Sequence, residues 1–377
     1  MIWVHTLFDY SKHPAKPLVT GILKDDKLTV IPLYINGTGE TLLNVKKKLA
    51  IVAKLIASNE TVINDYKSHI MTFPISPSKS VLCVPTKQFT DSLLNIETAH
   101  NILNDILKPV KPELWNLTLA EAHSVYAALE KRGLSDGVDK LEPIYSTDTF
   151  SGRSKTTGFN IQGTNADSIV KHSNQQYDWF VNFDWIAADI RVASILSNDK
   201  AMLNSFIKSD PYETMAKDLG LTRDECKQPF LATIYSLDAD NQILDYYPTF
   251  KNWMKECIDK MHQQGYLTSI LGRKFHTGEI DRTDKSVFNA VIQGSVAHAT
   301  QRAIARLHEI FPEFLVTEVH DSIVLACDRS SVSVVIEEGI KVMTKPLQGV
   351  VFTPCTFPTR VSIGREWRKW QFVKEAR

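Results

Sequence analysis

Residues 315–327 read LVTEVHDSIVLAC. Leu315, Val316 and Val319 before the centre, and Ile323, Val324 and Leu325 after it, form two apolar, β-branched runs, the pattern of paired buried strands. Between them stands His320-Asp321, a pair that is costly to bury without partners. A hairpin that ends in a carboxylate is either a capped turn or a metal site, and the rest of the chain has to decide which.

The 377 residues, 43% of them hydrophobic, suffice for two or three domains with cores of their own. Lys+Arg and Asp+Glu both number 43, so the formal net charge is zero. That excludes a wholly electrostatic nucleic-acid binder, and any phosphate binding must be local. The five cysteines (Cys83, Cys226, Cys257, Cys327, Cys355) are odd in number, widely spaced and free of a C-x-x-C pair. This argues against a disulfide framework or zinc ribbon and for a reducing compartment. The start, MIWVHTLFDYSK, lacks a basic segment and a long apolar stretch, and no run approaches the roughly 18 apolar residues that cross a bilayer. The expectation is a soluble, intracellular protein with no membrane partner.

Residues 18–34 predict two short strands around the turn Lys24-Asp25-Asp26-Lys27, and residues 41–58 predict a helix. From 88 to 132 the pattern is helical, with Pro109 and Pro112 between the pieces. Helices dominate again from 196 to 265, and the C-terminal part alternates strands and helices.

Three further stretches carry chemistry. In 181–199, VNFDWIAADIRVASILSND, an apolar strand leads into Asp184 and a helix follows, so Asp184 reads either as a metal ligand at a strand end or as a helix N-cap. In 222–236, TRDECKQPFLATIYS, Thr222 and Glu225 form a capping box. Arg223, Lys227, Leu231 and Tyr235 then follow four apart along one face. Such a face suits a polyphosphate at one end and a base or sugar at the other, or is simply a solvated basic surface. Pro229 should bend that helix. In 285–303, Lys285, Asn289 and Gln293 recur at four-residue spacing; amide side chains can test minor-groove acceptors without reading sequence, although most such faces are plain surface.

In this order the stretches resemble the family A DNA polymerases, the group of bacterial DNA polymerase I and several phage replicases. The segment D-W-I-A-A-D-I-R-V-A-S-I-L-S-N-D matches that family's first aspartate motif at most of its fixed places. Arg223, Lys227 and Tyr235 match its fingers helix, and Val319-His320-Asp321 its last motif. Ser151-Gly152-Arg153 with Asn160 and Gln162, then Asn289, Gln293 and Gly294, then Gly364 to Trp367, match lesser segments, so the likeness is spread over residues 120–370.

The resemblance implies an α+β right-hand fold of palm, fingers and thumb behind a small, degenerate exonuclease-like α/β unit. It apportions residues 1–87 to that unit, 88–140 to thumb helices, 141–196 to the first part of the palm, 197–280 to the fingers and 281–377 to the second part of the palm. It implies primer-template DNA and deoxynucleoside triphosphates as partners, and two Mg2+ ions, with Mn2+ able to substitute. Asp184 and Asp321, 137 positions apart, would be the catalytic ligands, with Trp185 also at the metal site. Arg223 and Lys227 would bind phosphates, and Tyr235, Asp189, Leu231 and Tyr212 would complete the nucleotide site. Arg153, Asn160, Gln162, Lys285, Asn289, Gln293 and His320 would contact DNA, and Arg191 would support the site from behind.

Departures matter too. Asp189 stands where the family has a glutamate thought to exclude ribonucleotides, so weaker sugar discrimination is expected. Leu231 replaces an aromatic residue, Ser236 a glycine, Ser322 an acidic residue and Lys285 an arginine. Residues 1–110 contain no D-x-E, the carboxylate pair of a proofreading exonuclease, so no proofreading is expected. Rival readings are a phage-type single-subunit RNA polymerase, which shares an H-D-S tip but not the first motif, and a catalytically silent relative. A reverse transcriptase would need Y-x-D-D, which is absent.

Overall fold

The computed structural model describes residues 2–9, 16–24, 27–32, 52, 61–63, 81–83, 114–208, 210–277, 283–349 and 356–377. They fall into two units, Met1–Ala128 and Leu129–Arg377. In the first, β1 (Ile2–Asp9), β2 (Lys16–Lys24), β3 (Lys27–Pro32), β4 (Thr61–Ile63) and β5 (Val81–Cys83) form one sheet in the order β3-β2-β1-β4-β5. The first three strands are antiparallel, and β4 and β5 add in parallel. The predicted pair within 18–34 is β2 and β3, with Lys24 opposite Lys27. The helix expected at 41–58, apart from residue 52, and the helical pieces at 88–113 lie outside the described residues.

Helix α1 (Leu114–Arg132) ends at Gly133, whose positive φ of 69° gives the left-handed turn that closes many helices. Beyond it come the short strands β6 (Leu134–Ser135), β7 (Lys140–Leu141), β8 (Pro143–Ser146), β9 (Lys155–Gly158) and β10 (Lys171–His172), then β11 (Trp179–Trp185). The expected run of helices follows: α2 (Ala188–Ser197), α3 (Lys200–Lys208), α4 (Pro211–Leu219), α5 (Arg223–Ser236) and α6 (Pro248–Gln264). A hairpin of β12 (Tyr266–Thr268) and β13 (Lys274–His276) leads to α7 (Asp284–Ile310), and then come β14 (Leu315–Val319), β15 (Ser322–Cys327), α8 (Val332–Thr344), β16 (Thr359–Gly364) and β17 (Gln371–Ala376). None of the described helices is long and apolar enough to cross a membrane.

The sheet that positions the site is antiparallel, in the order β14-β15-β11-β16-β17. Its central strand β11 is largely buried because both of its faces are covered. On one face, Phe183 fills the space where a Cβ on Gly339 of α8 would stand, and the Trp185 indole donates to the Met343 carbonyl at 2.8 Å. On the other, Phe180 meets Trp367 edge to face at 5.7 Å, within a core that includes Leu134, Ile161 and Val324. The closing glycine and tryptophan of the sequence are thus packing residues. A Cβ on Gly364 would meet the Lys369 carbonyl at 2.6 Å, and Trp367 donates to Thr164 Oγ1 at 2.8 Å.

The helical part has its own core, built on Phe206, Phe230, Phe250 and Phe288 from α3, α5, α6 and α7. Buried Asp199 joins these helices. One carboxylate oxygen accepts from Met202 N at 2.9 Å, in the first turn of α3, and the other from Phe250 N at 3.0 Å, in the first turn of α6. Sequence reading recognises Asp199 only as a motif letter.

Candidate active site

Side chains alternate along β11, so Phe180, Asn182 and Asp184 share the face opposite α8, and Asp184 emerges at the strand's end. Its register partner is Ser322, the residue after Asp321. Val319 and Ser322 close the β14–β15 hairpin, leaving His320-Asp321 as a two-residue turn. His320 has φ 59°, in the left-handed region that histidine enters more readily than most non-glycine residues. The turn therefore delivers Asp321 to the cleft that Asp184 lines. Asp184 is not a helix cap: the cap of α2 is Ala187, at φ 53° and with no side-chain hydrogen bond.

Burial, and after it the charge of Asp321, pushes the Asp184 carboxyl up to about 6, against the opposing pull of Arg360. Asp321 is also raised, by burial first and then by Asp189. Two hard carboxylates thus line one cleft, and carboxylate oxygens are donors that suit a divalent cation. No group of three His, Cys, Asp or Glu side chains forms a metal site among the described residues. Main-chain, water or substrate oxygens would complete the coordination, as is usual for Mg2+. The Trp185 side chain is held by Met343 and by the Phe357 ring at 4.9 Å, so only its main chain can contribute.

Helix α5 begins with the predicted capping box, both of whose hydrogen bonds are present. The helix assignment runs on through Pro229 without interruption. The carbonyl that loses its N–H partner belongs to Glu225, which is exposed, so water can replace the missing bond. Arg223, Lys227, Leu231 and Tyr235 line one cleft of about 330 Å³ with Asp184, Asp189, Tyr212 and Asp321. Arg223 forks onto Asp210, at 3.2 Å from Nε and 2.6 Å from a terminal nitrogen, and lies 5.5 Å over the Tyr212 ring. Asp210 in turn caps α4 by accepting from Tyr212 N at 2.9 Å. Sequence reading missed this carboxylate, and a D-P pair at a helix start was its only signal. Lys227 has no ion-pair partner among the described residues, leaving its charge for a ligand.

Asp189 joins two elements. One oxygen accepts from an Arg153 terminal nitrogen at 2.9 Å and the other from the Tyr235 hydroxyl. Burial, and then the Asp189 charge, raises the Tyr235 phenol well above its ordinary value, which keeps it a donor.

The remaining expected DNA contacts divide. Asn289 donates to the Tyr235 carbonyl at 3.0 Å, binding α7 to the end of α5. Gln293 is half-buried one turn further on, Lys285 is exposed one turn before, and His320 is exposed at the hairpin tip. Asn160 accepts from Gly163 N at 3.1 Å, and Gln162 donates to Ser154 Oγ at 2.8 Å, so both have partners within the protein. Arg191 is buried with its guanidinium 4.8 Å over Phe206, packed against α3 and not lining the cleft.

Residues 213–369 match the family model described as DNA polymerase family A. The chain is 22% identical over 272 residues to DNA polymerase I of Mycobacterium leprae, a match covering 58% of this chain and 29% of that protein. It is 27% identical over 166 residues to DNA polymerase I of Borreliella burgdorferi, covering 41% and 17%. With the DNA polymerase of Mycobacterium phage D29 it shares 23% over 171 residues, covering 38% and 28%. These matches span less than a third of the relatives' own length. The fold matches the POL domain of Pol1 from M. smegmatis, solved in complex with DNA primer-template and dNTP, at a TM-score of 0.62 and 12% identity, over 97% of this chain and 95% of that one. The likeness to DNA polymerase family A thus lies in residues 213–369, and the fold is similar to that of a POL domain.

Proposed function

We propose that the chain is a template-directed DNA polymerase, which extends a primer 3′-hydroxyl with deoxynucleoside triphosphates and releases pyrophosphate. The observation that carries this reading is the convergence in one cleft of Asp184 and Asp321 with Arg223, Lys227 and Tyr235, which come from the sheet, the hairpin tip and a separate helix. In this reading the palm is built from residues 141–196 and 281–377, the fingers from 197–280 and the thumb from 88–140, and 1–87 is a degenerate exonuclease-like unit.

Asp184 and Asp321 would hold two Mg2+ ions, whose chemistry would be to lower the pKa of the primer hydroxyl and to neutralise the triphosphate charge. Lys227 and Arg223 attract the phosphates and stabilise the charge that develops on the departing pyrophosphate. Tyr212 and Leu231 wall the nucleotide's apolar side. Asp189, fixed by Tyr235, crowds the sugar. Arg153 and Gln293 contact the minor groove of the primer-template, with Asn289 holding the end of the fingers helix beside them. His320 stands near the primer end, and Asn160 and Gln162 brace the loop that carries Arg153.

Extension of a labelled primer on a DNA template with Mg2+ tests this. The wild type should add templated deoxynucleotides, and Asp184→Ala and Asp321→Ala should each lower kcat by about a thousandfold or more, as removal of a charge-stabilising element does. Equal activity of wild type and Asp184→Ala would exclude the mechanism.

A further inference from the structure

Resting on the polymerase reading, we propose that Arg153 is a positioning residue for sugar selection, because it fixes the carboxylate of Asp189 in the cleft. An aspartate carboxylate rotates about χ2 between broad minima, so a single hydrogen bond leaves it considerable freedom. Here each oxygen has its own donor, from a different element: Arg153 on the loop after β8 at 2.9 Å, and the Tyr235 hydroxyl near the end of α5. Both partners of the Arg153–Asp189 pair are largely shielded, with side chains 28% and 22% exposed, so the contact is less screened than a surface pair.

The loop that presents Arg153 is itself held. Thr149 Oγ1 donates to the Arg153 carbonyl at 2.8 Å, and Gln301 of α7 donates to the Gly152 carbonyl at 3.1 Å. Gly152 has φ 81°, a conformation that favours glycine. Within the Arg153 fork, Nε is buried without a protein hydrogen bond, and a terminal nitrogen holds Asp189.

The consequence is specific. Asp189 is a short side chain at a place where bulk decides the sugar, and a short carboxylate excludes a 2′-hydroxyl only if it cannot swing aside. Removing Arg153 frees one oxygen and leaves the carboxylate hinged on Tyr235.

Single-nucleotide insertion on one primer-template, with dGTP and with GTP, reads this for wild type, Arg153→Ala, Arg153→Lys, Asp189→Ala and the Arg153→Ala/Asp189→Ala double variant. Arg153→Ala should slow both insertions and also lower the ratio of kcat/KM for dGTP over GTP by about tenfold, within the range of a lost hydrogen bond to a charged group. Arg153→Lys should restore part of the ratio. The double variant should show the ratio of Asp189→Ala alone, because both changes act on one carboxylate. An unchanged ratio in both Arg153 variants beside a lowered one in Asp189→Ala, or additive losses in the double variant, would overturn the inference. If Arg153→Ala does not fold by circular dichroism, Arg153→Lys against wild type carries the same comparison. Absence of templated insertion by the wild type would instead sink the polymerase reading.

Discussion

Burial and the adjacent charge of Asp321 push the Asp184 carboxyl up to about 6. Its folded value lies above its unfolded one, so the penalty is absent below the ordinary carboxylate range and complete above about pH 6. Asp184→Asn should therefore abolish extension yet stabilise the metal-free protein at about pH 8, by on the order of 3 kcal/mol at most, with no gain near pH 4. Urea unfolding with EDTA at both pH values checks this; a variant no more stable than wild type at the higher pH would contradict it. Adding Mg2+ should stabilise the wild type more than the variant. Asp189 offers a second test at this scale. Asp189→Glu restores a methylene facing the sugar and should raise the dGTP-over-GTP ratio by about tenfold, the lower range for one methylene in a pocket. A strong deoxy preference already present in the wild type would refute the expectation of weak discrimination. Asp184, Asp321 and Asp189 are legible in the sequence because motif order marks them. The Arg153–Asp189 and Arg223–Asp210 pairs are not, since a side chain's partner across the fold is set by how separate elements pack, and no local spacing encodes it.

Among the helices, α5 is legible at its start because that start is a local chemical device. Thr222 Oγ1 and the Glu225 carboxylate exchange hydrogen bonds with each other's backbone N–H. Thr222→Ala should destabilise the helix by about 1 kcal/mol. Because the box lies just before Arg223, the same change should raise KM for the nucleotide more than it lowers kcat, as steady-state insertion kinetics would show. A KM shift without any loss of stability would mean that Thr222 acts otherwise than as a cap. The start of α2 was illegible by the same logic: its cap is a left-handed alanine, which has no sequence signature, so Asp184 was an equally good candidate. Helix α7 shows a third case. Gly294 reads as a motif letter, but a Cβ there would stand 2.8 Å from the Ser151 carbonyl and 2.7 Å from the Phe275 ring. Gly294→Ala should thus cost about 1–3 kcal/mol by overpacking and displace the loop that holds Arg153. Unchanged stability would show that this approach relaxes freely.

At the scale of the whole molecule, net neutrality coexists with a cleft that gathers Asp184, Asp189 and Asp321 opposite Arg223 and Lys227, so the charge that matters is arranged locally. The sheet that carries Asp184 is legible at its centre, where the hairpin is apolar and β-branched and the strand before Asp184 is mostly apolar. Its outer strands are foreseen only as an alternation of strands and helices, because an edge strand such as β17 is exposed along nearly its whole length and carries no apolar pattern. The first unit follows a different logic. Its five-stranded sheet is built on β1, but residues 1–110 offer no D-x-E from which a two-carboxylate metal site could be made. A proofreading exonuclease needs such a pair for hydrolysis by the same metal chemistry as synthesis. The pure protein should therefore leave a labelled primer with a mismatched 3′ end intact over many turnovers' time in Mg2+ without nucleotides, while extending a matched primer when nucleotides are added. Shortening of the mismatched primer that persists in Asp184→Ala would locate an exonuclease outside the polymerase cleft and overturn this reading of the first unit. Shortening that disappears in Asp184→Ala and requires added pyrophosphate would instead be reversal of synthesis, and the reading would stand.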